Sequence, residues 1–475
     1  PEMKRIDTTI QTILFIGVAA LLLATPIVSL ADAQTEAADV TALSRSATAE
    51  DERAVRRTRD ANVNTYAAYG ANEAFSLKWG GDAAVAVAYV KWYTLPDCAI
   101  LVQSDENGTE LSRETIAEPI YNDCYAILPN ARAFSIVCED GMQLCEVALY
   151  TKGDLPEDVH NWQPPHEKAD LLVVSAHCDD ELIFFGGTIP YYAGERKLAV
   201  QVVYMANTDR VRVDEALNGL WHAGVRNAPV FLPLADVYTE TLRLALLNWG
   251  EEETTGALVG LIRRFRPEVI VSHDAEGEYG HGAHRATAYC IQQAVRRSAD
   301  DAAYPDSAKT YGTWQAQKLY LHLYPENAIT MDWNQPLDAF GGKTALAVAN
   351  EAYHMHVSQL AFHKNVYGTG KYSSLLFGLA YTTAGQDMSK DDFFEHIDSG
   401  NLTNAVLPTA TPAPTATPAP TATQTPQPTA ETGGPQLGDK QQQQLRGVTA
   451  ILFALLAAGA LIVVKKQKGN KNRPL

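Results

Sequence analysis

Two rhythms of apolar and polar positions divide the chain. Between residues 36 and 152, short runs of β-forming residues at 83–93, 99–103, 125–128, 133–137 and 145–150 are separated by turn-formers such as Asp105-Glu-Asn-Gly108 and Leu128-Pro-Asn130. That spacing predicts an all-β sandwich of jelly-roll type. After Trp162-Gln-Pro-Pro165 the rhythm changes. Apolar runs at 171–174, 198–204, 229–232 and 269–271 alternate with helical periodicity at 213–222, 258–264 and 285–297. Over residues 165–400 this predicts an α/β fold, a Rossmann-like parallel sheet with helices on both faces. Such sheets bind ligands beyond the carboxyl ends of their strands.

Two polar clusters stand at such ends. Ser175-Ala-His177-Cys178-Asp179-Asp180-Glu181 follows the first apolar run, and Tyr279-Gly-His281-Gly-Ala-His284 follows the run that ends at Ser272. His177, Asp180 and His284 offer two imidazoles and one carboxylate, a set that leaves a position of a tetrahedral zinc open for water or substrate. Asp179 is then free to take a proton from that water. His281 stands three residues before His284 and faces the same place without ligating. Taken singly, Asp-Asp-Glu is equally a helix N-terminal cap, and Glu181 is read as no more than a helix start. The conjunction of two histidine-bearing clusters after two strands of one sheet favours the metal.

The ends of the chain have a different composition. Residues 1–33 carry Lys4 and Arg5, an apolar stretch at 13–24, and Ala31-Asp-Ala33, which reads as a secretory signal peptide, with an uncleaved anchor as the alternative. Residues 405–440 repeat Ala-Thr-Pro-Ala-Pro-Thr and predict a stalk of polyproline II character. Residues 445–464 are apolar enough to span a bilayer, and the basic tail 465–475, with Lys465, Lys466, Lys468, Lys471 and Arg473, places the C-terminus in the cytoplasm. The expectation is a cell-surface protein held by one C-terminal helix. The formal charge of −18 argues against nucleic acid as a partner. Four cysteines, Cys98, Cys124, Cys138 and Cys145, cluster within an exported segment and suggest two disulfides. Three pairings exist; Cys138 with Cys145, across a hairpin at 139–142, and Cys98 with Cys124 are the favoured ones.

The residues also carry a resemblance. From about 169 to 359 the chain resembles the PIG-L or LmbE-like zinc-dependent deacetylases, whose signatures are Ala-His-Pro-Asp-Asp-Glu and Gly-His-x-Asp-His. The resemblance implies that His177, Asp180 and His284 hold the zinc and that Asp179 is the general base. It makes His281 the general acid or an oxyanion donor, and Tyr279 a second donor to that oxygen. Arg212-Val-Asp-Glu215 resembles the family's Arg-x-x-Glu helix, whose arginine approaches the substrate. Asp236 falls where a carboxylate meets sugar hydroxyls, and His356-Val-Ser-Gln359 resembles a late His-x-Ser-Gln element that would wall the pocket. The opening Asp60-Ala-Asn-Val-Asn-Thr-Tyr66 resembles galactose-binding-like jelly rolls.

Two positions depart from the family pattern. Cys178 replaces a proline and brings a thiol toward the metal; Ala283 replaces the aspartate that would tune His281. The expected activity is zinc-dependent hydrolysis of N-acetyl groups on amino sugars of extracellular glycans or glycoconjugates. The alternatives are hydrolysis of another N-acyl substrate and a glycan-binding surface protein with weak catalysis. Another divalent ion such as Fe2+ suits the same ligands, and the oligomeric state is open.

Overall fold

The computed structural model describes residues 36–46, 52–81, 83–206 and 209–403. The expected signal peptide, stalk, membrane helix and basic tail lie outside the described residues. No helix among the described residues is long and apolar enough to cross a membrane.

The amino-terminal part is two antiparallel sheets. One runs in the order Ser44–Ser46, Ala74–Trp79, Ala133–Val137, Ala99–Ser104, Glu110–Ile116; the other runs Ala67–Tyr69, Met142–Tyr150, Val87–Thr94, Asn122–Ala126. Alternate residues turn inward, so Phe75 and Leu77 of the first sheet share one core with Val90, Trp92 and Leu144 of the second. This is the expected sandwich, with strands at 44–46, 67–69, 74–79 and 110–116 that the apolar runs did not mark.

The expected disulfides are not formed: all six cysteines are free. The segment 139–142 turns no hairpin within a sheet. It crosses from Ala133–Val137 in the five-stranded sheet to Met142–Tyr150 in the four-stranded one, which leaves Cys138 and Cys145 on opposite sheets. Cys98, just ahead of Ala99–Ser104, and Cys124, within Asn122–Ala126, are divided in the same way. Cys98 and Cys138 are the neighbours instead, beside the strand partners Ile100 and Val137 and on the wall of one surface cavity.

The α/β layer follows. Its elements are β1 (Leu171–Ser175), α1 (Asp180–Ile183), β2 (Val200–Ala206), α2 (Arg210–His222), β3 (Val230–Leu234), α3 (Leu242–Trp249), α4 (Glu251–Phe265), β4 (Val269–Ser272), α5 (Gly282–Arg297), β5 (Lys318–His322), β6 (Ala328–Thr330), α6 (Ala345–Tyr353) and β7 (Leu376–Thr382). The strand order is β3-β2-β1-β4-β5-β7-β6. The first five strands are mutually parallel, while β7 runs antiparallel to β5 and β6. The sheet is therefore mostly, not wholly, parallel. Its strands feed two cores by strict alternation: Leu171, Val173, Val269 and Val271 face one, Leu172, Val174 and Ile270 the other. Every residue of β1 is buried, as a strand covered on both faces requires.

The chain leaves β1 toward β2 and β3 on one side, then returns to place β4 on the other. β1 and β4 pair in register from Leu171 with Val269 to Val173 with Val271. Their carboxyl ends flank the switch point where such sheets open a crevice, and the two polar clusters begin there.

Candidate metal centre

The first cluster leaves β1 sharply. Asp179 sits at φ 140°, a backbone region that disfavours any residue with a β-carbon. It is held there from outside: its N–H donates to Glu181 Oε2 at 2.9 Å. Glu181 is fully buried, so it is more than the helix start expected of it. Asp180 then opens α1, and its Oδ2 accepts the His177 N–H at 3.0 Å.

The three ligands inferred from sequence converge. Asp180 Oδ2 lies 2.9 Å from His177 Nδ1 and 3.2 Å from His284 Nε2, and those two nitrogens are 3.3 Å apart. Atoms bound about 2.0–2.2 Å from one tetrahedral ion stand roughly 3.3 Å from each other. The hydrogen bonds behind the rings leave the right lone pairs in front. His284 donates from Nδ1 to Glu278 Oε2 at 2.7 Å, which leaves Nε2 as the atom that faces Asp180. His177 Nε2 lies 3.5 Å from Asp236 Oδ1, which leaves Nδ1 for the ion. Carboxylates behind ligating imidazoles are how metal sites fix ring orientation.

The field suits a cation too. Burial works against charge on Asp180 and Glu278, yet the surrounding histidines hold both carboxyls well below the usual range. Burial alone would depress His284, but Asp180 and Glu278 outweigh it and raise it to about 10. Donor set, spacing and charge all fit a divalent ion.

Two other histidines approach without qualifying as ligands. His273 lies within reach of Asp180 and His284, but its Nε2 accepts the Ala176 N–H at 2.8 Å and its Nδ1 donates to Glu278 at 2.9 Å. His281 lies within reach of His177 and His284. Its Nδ1 accepts the Ala283 N–H at 3.2 Å and caps α5, so the ring proton sits on Nε2. Burial, with His284 and His177 beside it, lowers its pKa to about 3. It is a neutral N–H donor.

Asp179 meets Arg212 Nη2 at 2.9 Å. Burial and Asp180 push its carboxyl up, and Arg212 pulls it back, the direction a general base near neutrality needs. Arg212 also donates to the Cys178 carbonyl at 3.0 Å and, from Nη1, to Asp236 Oδ2 at 3.3 Å. Asp179, Arg212 and Asp236 line a cavity of about 560 Å³ together with Tyr238, Tyr279, Gln359, Phe362 and His363. Tyr279, on a left-handed backbone at φ 46°, is 44% exposed at its mouth.

Two expectations are corrected. His356 does not wall the cavity. It is fully buried behind the site, stacked on Tyr353 and with Nε2 3.6 Å from Glu181 Oε1. The wall comes from the residues after it, because Ser358 is clamped to Glu215 through its N–H at 2.8 Å and its hydroxyl at 2.6 Å. Cys178 brings no thiol to the metal; its side chain is packed in the apolar core with Leu182 and Phe184.

Sequence reasoning missed Glu278. This fully buried carboxylate accepts hydrogen bonds from His273, His284 and His322, the last at 2.7 Å. It stands beside Tyr279 in the second cluster, so its carboxylate was visible; its partners on β5 and after β4 were not.

Residues 172–295 match a family model described as PIG-L: GlcNAc-PI de-N-acetylase. A 1D-myo-inositol 2-acetamido-2-deoxy-alpha-D-glucopyranoside deacetylase of Mycobacterium leprae is 28% identical over 198 residues, which cover 35% of this chain and 64% of that protein. A deacetylase of the same description from Frankia casuarinae is 40% identical over 202 residues, with the same shares. The chain thus spans less than two thirds of the length of these relatives. Among solved structures, N,N'-diacetylchitobiose deacetylase from Pyrococcus horikoshii aligns at 19% identity and a TM-score of 0.32, covering 42% of this chain and 74% of that one. The family match falls on the strands and helices that carry both polar clusters: residues 172–295 form a domain of the PIG-L / LmbE-like GlcNAc-PI de-N-acetylase family.

Proposed function

We propose that the protein removes N-acetyl groups from amino sugars in glycans or glycoconjugates, releasing acetate and a free amine. The observation that carries this reading is the convergence of His177 Nδ1, Asp180 Oδ2 and His284 Nε2, each about 3 Å from the others, beside a second carboxylate, Asp179, held on strained backbone. His177, Asp180 and His284 would hold the ion. A divalent metal there supplies Lewis acidity toward the amide carbonyl and acidifies water.

Asp179 takes the proton from the attacking water and, being buried, can pass it to the leaving nitrogen. Arg212 keeps Asp179 turned toward the cavity and steadies its charge. His281 offers its Nε2–H, and Tyr279 its hydroxyl, to the oxygen that gains charge in the tetrahedral state. Asp236 and Arg212 lie where sugar hydroxyls would meet them. The match to sugar N-deacetylases supports an N-acetylhexosamine, and the apolar segments at both ends of the sequence support a place at the cell surface.

The test is acetate release from a panel of N-acetylated sugars by the purified protein, with bound metal measured alongside. Asp179→Asn is expected to keep the metal and lose about 10²–10⁴ in kcat. Full turnover by that variant with metal bound would overturn the mechanism. Faster release of longer acyl groups than of acetate would point to a different N-acyl substrate.

A further inference from the structure

Helix α2 stands between the sandwich and the metal centre and shows a different face to each. Residues two apart on a helix point roughly 160° away from each other, so Arg210 and Arg212 look in opposite directions. Arg212 reaches Asp179, the Cys178 carbonyl and Asp236. Arg210 is 5% exposed and enters the sandwich. Its Nε donates to the Trp92 carbonyl at 2.7 Å, its Nη2 to Asn122 Oδ1 at 2.7 Å, and its guanidinium lies 5.2 Å from the Tyr121 ring centroid.

One turn further along the same face, Asp214 completes the grip. Its Oδ1 accepts from Lys91 Nζ at 3.1 Å and from Asn122 Nδ2 at 3.3 Å, and Arg210 Nη1 lies 3.6 Å away. Asn122 therefore binds two successive turns of α2, one with each end of its amide. The opposite face carries Arg212 and also Glu215, which clamps Ser358 and the segment that forms the far wall of the cavity.

We propose that Asn122, Lys91 and the Trp92 carbonyl are positioning groups for the hydrolytic centre: they set the rotation and axial place of α2 and, through it, Arg212. The sandwich is then an integral part of the active site, whatever else it binds. Shifts of about 1 Å in a group that orients a base cost on the order of 10²-fold in rate, and α2 is the rigid rod that would transmit one. The kinetic half of this inference rests on the deacetylase reading; the structural half does not.

The experiment uses the full chain with Asn122→Leu, which keeps the side chain's size and removes both amide bonds, and Lys91→Met, a milder change at a partly exposed position. Amide hydrogen exchange at residues 213–217 is expected to quicken about tenfold in Asn122→Leu, with exchange in α5 unchanged. In turnover, kcat is expected to fall about tenfold while KM moves less than about twofold, and in an Arg212→Ala background the same change should cost less than about twofold. Should Asn122→Leu not fold, Lys91→Met gives the same readouts at smaller amplitude. Unaltered exchange, unaltered kcat, or an equal loss with and without Arg212 would each overturn the proposal. If the unmodified protein releases no acetate from any substrate, the functional reading fails while the exchange measurement still decides the brace.

Discussion

Asp179 and Glu278 show how much a single carboxylate gains from what surrounds it. Asp179 was legible in sequence because its whole context is a seven-residue run at the end of a strand. Glu278 was not, because its meaning depends on His273, His284 and His322, which the fold gathers from separate segments. Replacing it with glutamine leaves one acceptor oxygen where three rings share two and turns the other into a donor, and metal affinity is expected to weaken about 10- to 100-fold; equilibrium dialysis against a chelator series would show an unchanged constant if Glu278 were only filler. Cys178 gives the opposite case. With its thiol in the core, Cys178→Ala is expected to cost about 1 kcal/mol in stability and leave metal content and kcat unaltered. A loss of metal in that variant would mean that the thiol faces the ion after all.

At the scale of elements, four of the five parallel strands, β1 to β4, were found from their apolar runs, whereas β5, β6 and β7 were not. β5 carries Lys318 and His322, both fully buried, and polar residues at the ends of a five-residue strand hide its apolar pattern. The helices were read too short at their starts for a related reason: α2 begins with Arg210 and Arg212, whose burial comes from partners distant in sequence. The start of α5 depends on a close approach. A β-carbon on Gly282 would meet Thr239 Oγ1 and the carbonyl oxygens of Thr239 and Thr241 at 2.9 Å or less. Gly282→Ala is therefore expected to destabilise the protein by about 1–3 kcal/mol and to lower metal affinity by moving His284. Thermal melts and metal titration would reveal a wild-type pair of values if the loop simply yielded.

For the molecule as a whole, the order of sandwich then α/β layer follows from the change of rhythm near residue 162, but the pairing of cysteines did not, since hairpins and sheet crossings share the same turn residues. The sandwich carries its own pH dependence. Burial, with Asp60 beside it, raises the Glu146 carboxyl to about 7 from 4.5. The folded protein then binds more protons than the unfolded chain between those values, so this group's contribution is most favourable below about pH 4.5 and is lost as pH rises through 7. Glu146 is only half buried, which limits the effect to roughly 1 kcal/mol after solvent screening. Glu146→Gln is expected to melt higher relative to the unmodified protein at pH 8 than at pH 5. Equal differences at both pH values would contradict the assignment.

The grip of Glu278 on three imidazoles also joins parts of the chain that meet nowhere in the sequence. One buried carboxylate ties the segment after β4, the start of α5 and the end of β5 together. A disturbance in any of the three is therefore passed to the other two through a single side chain.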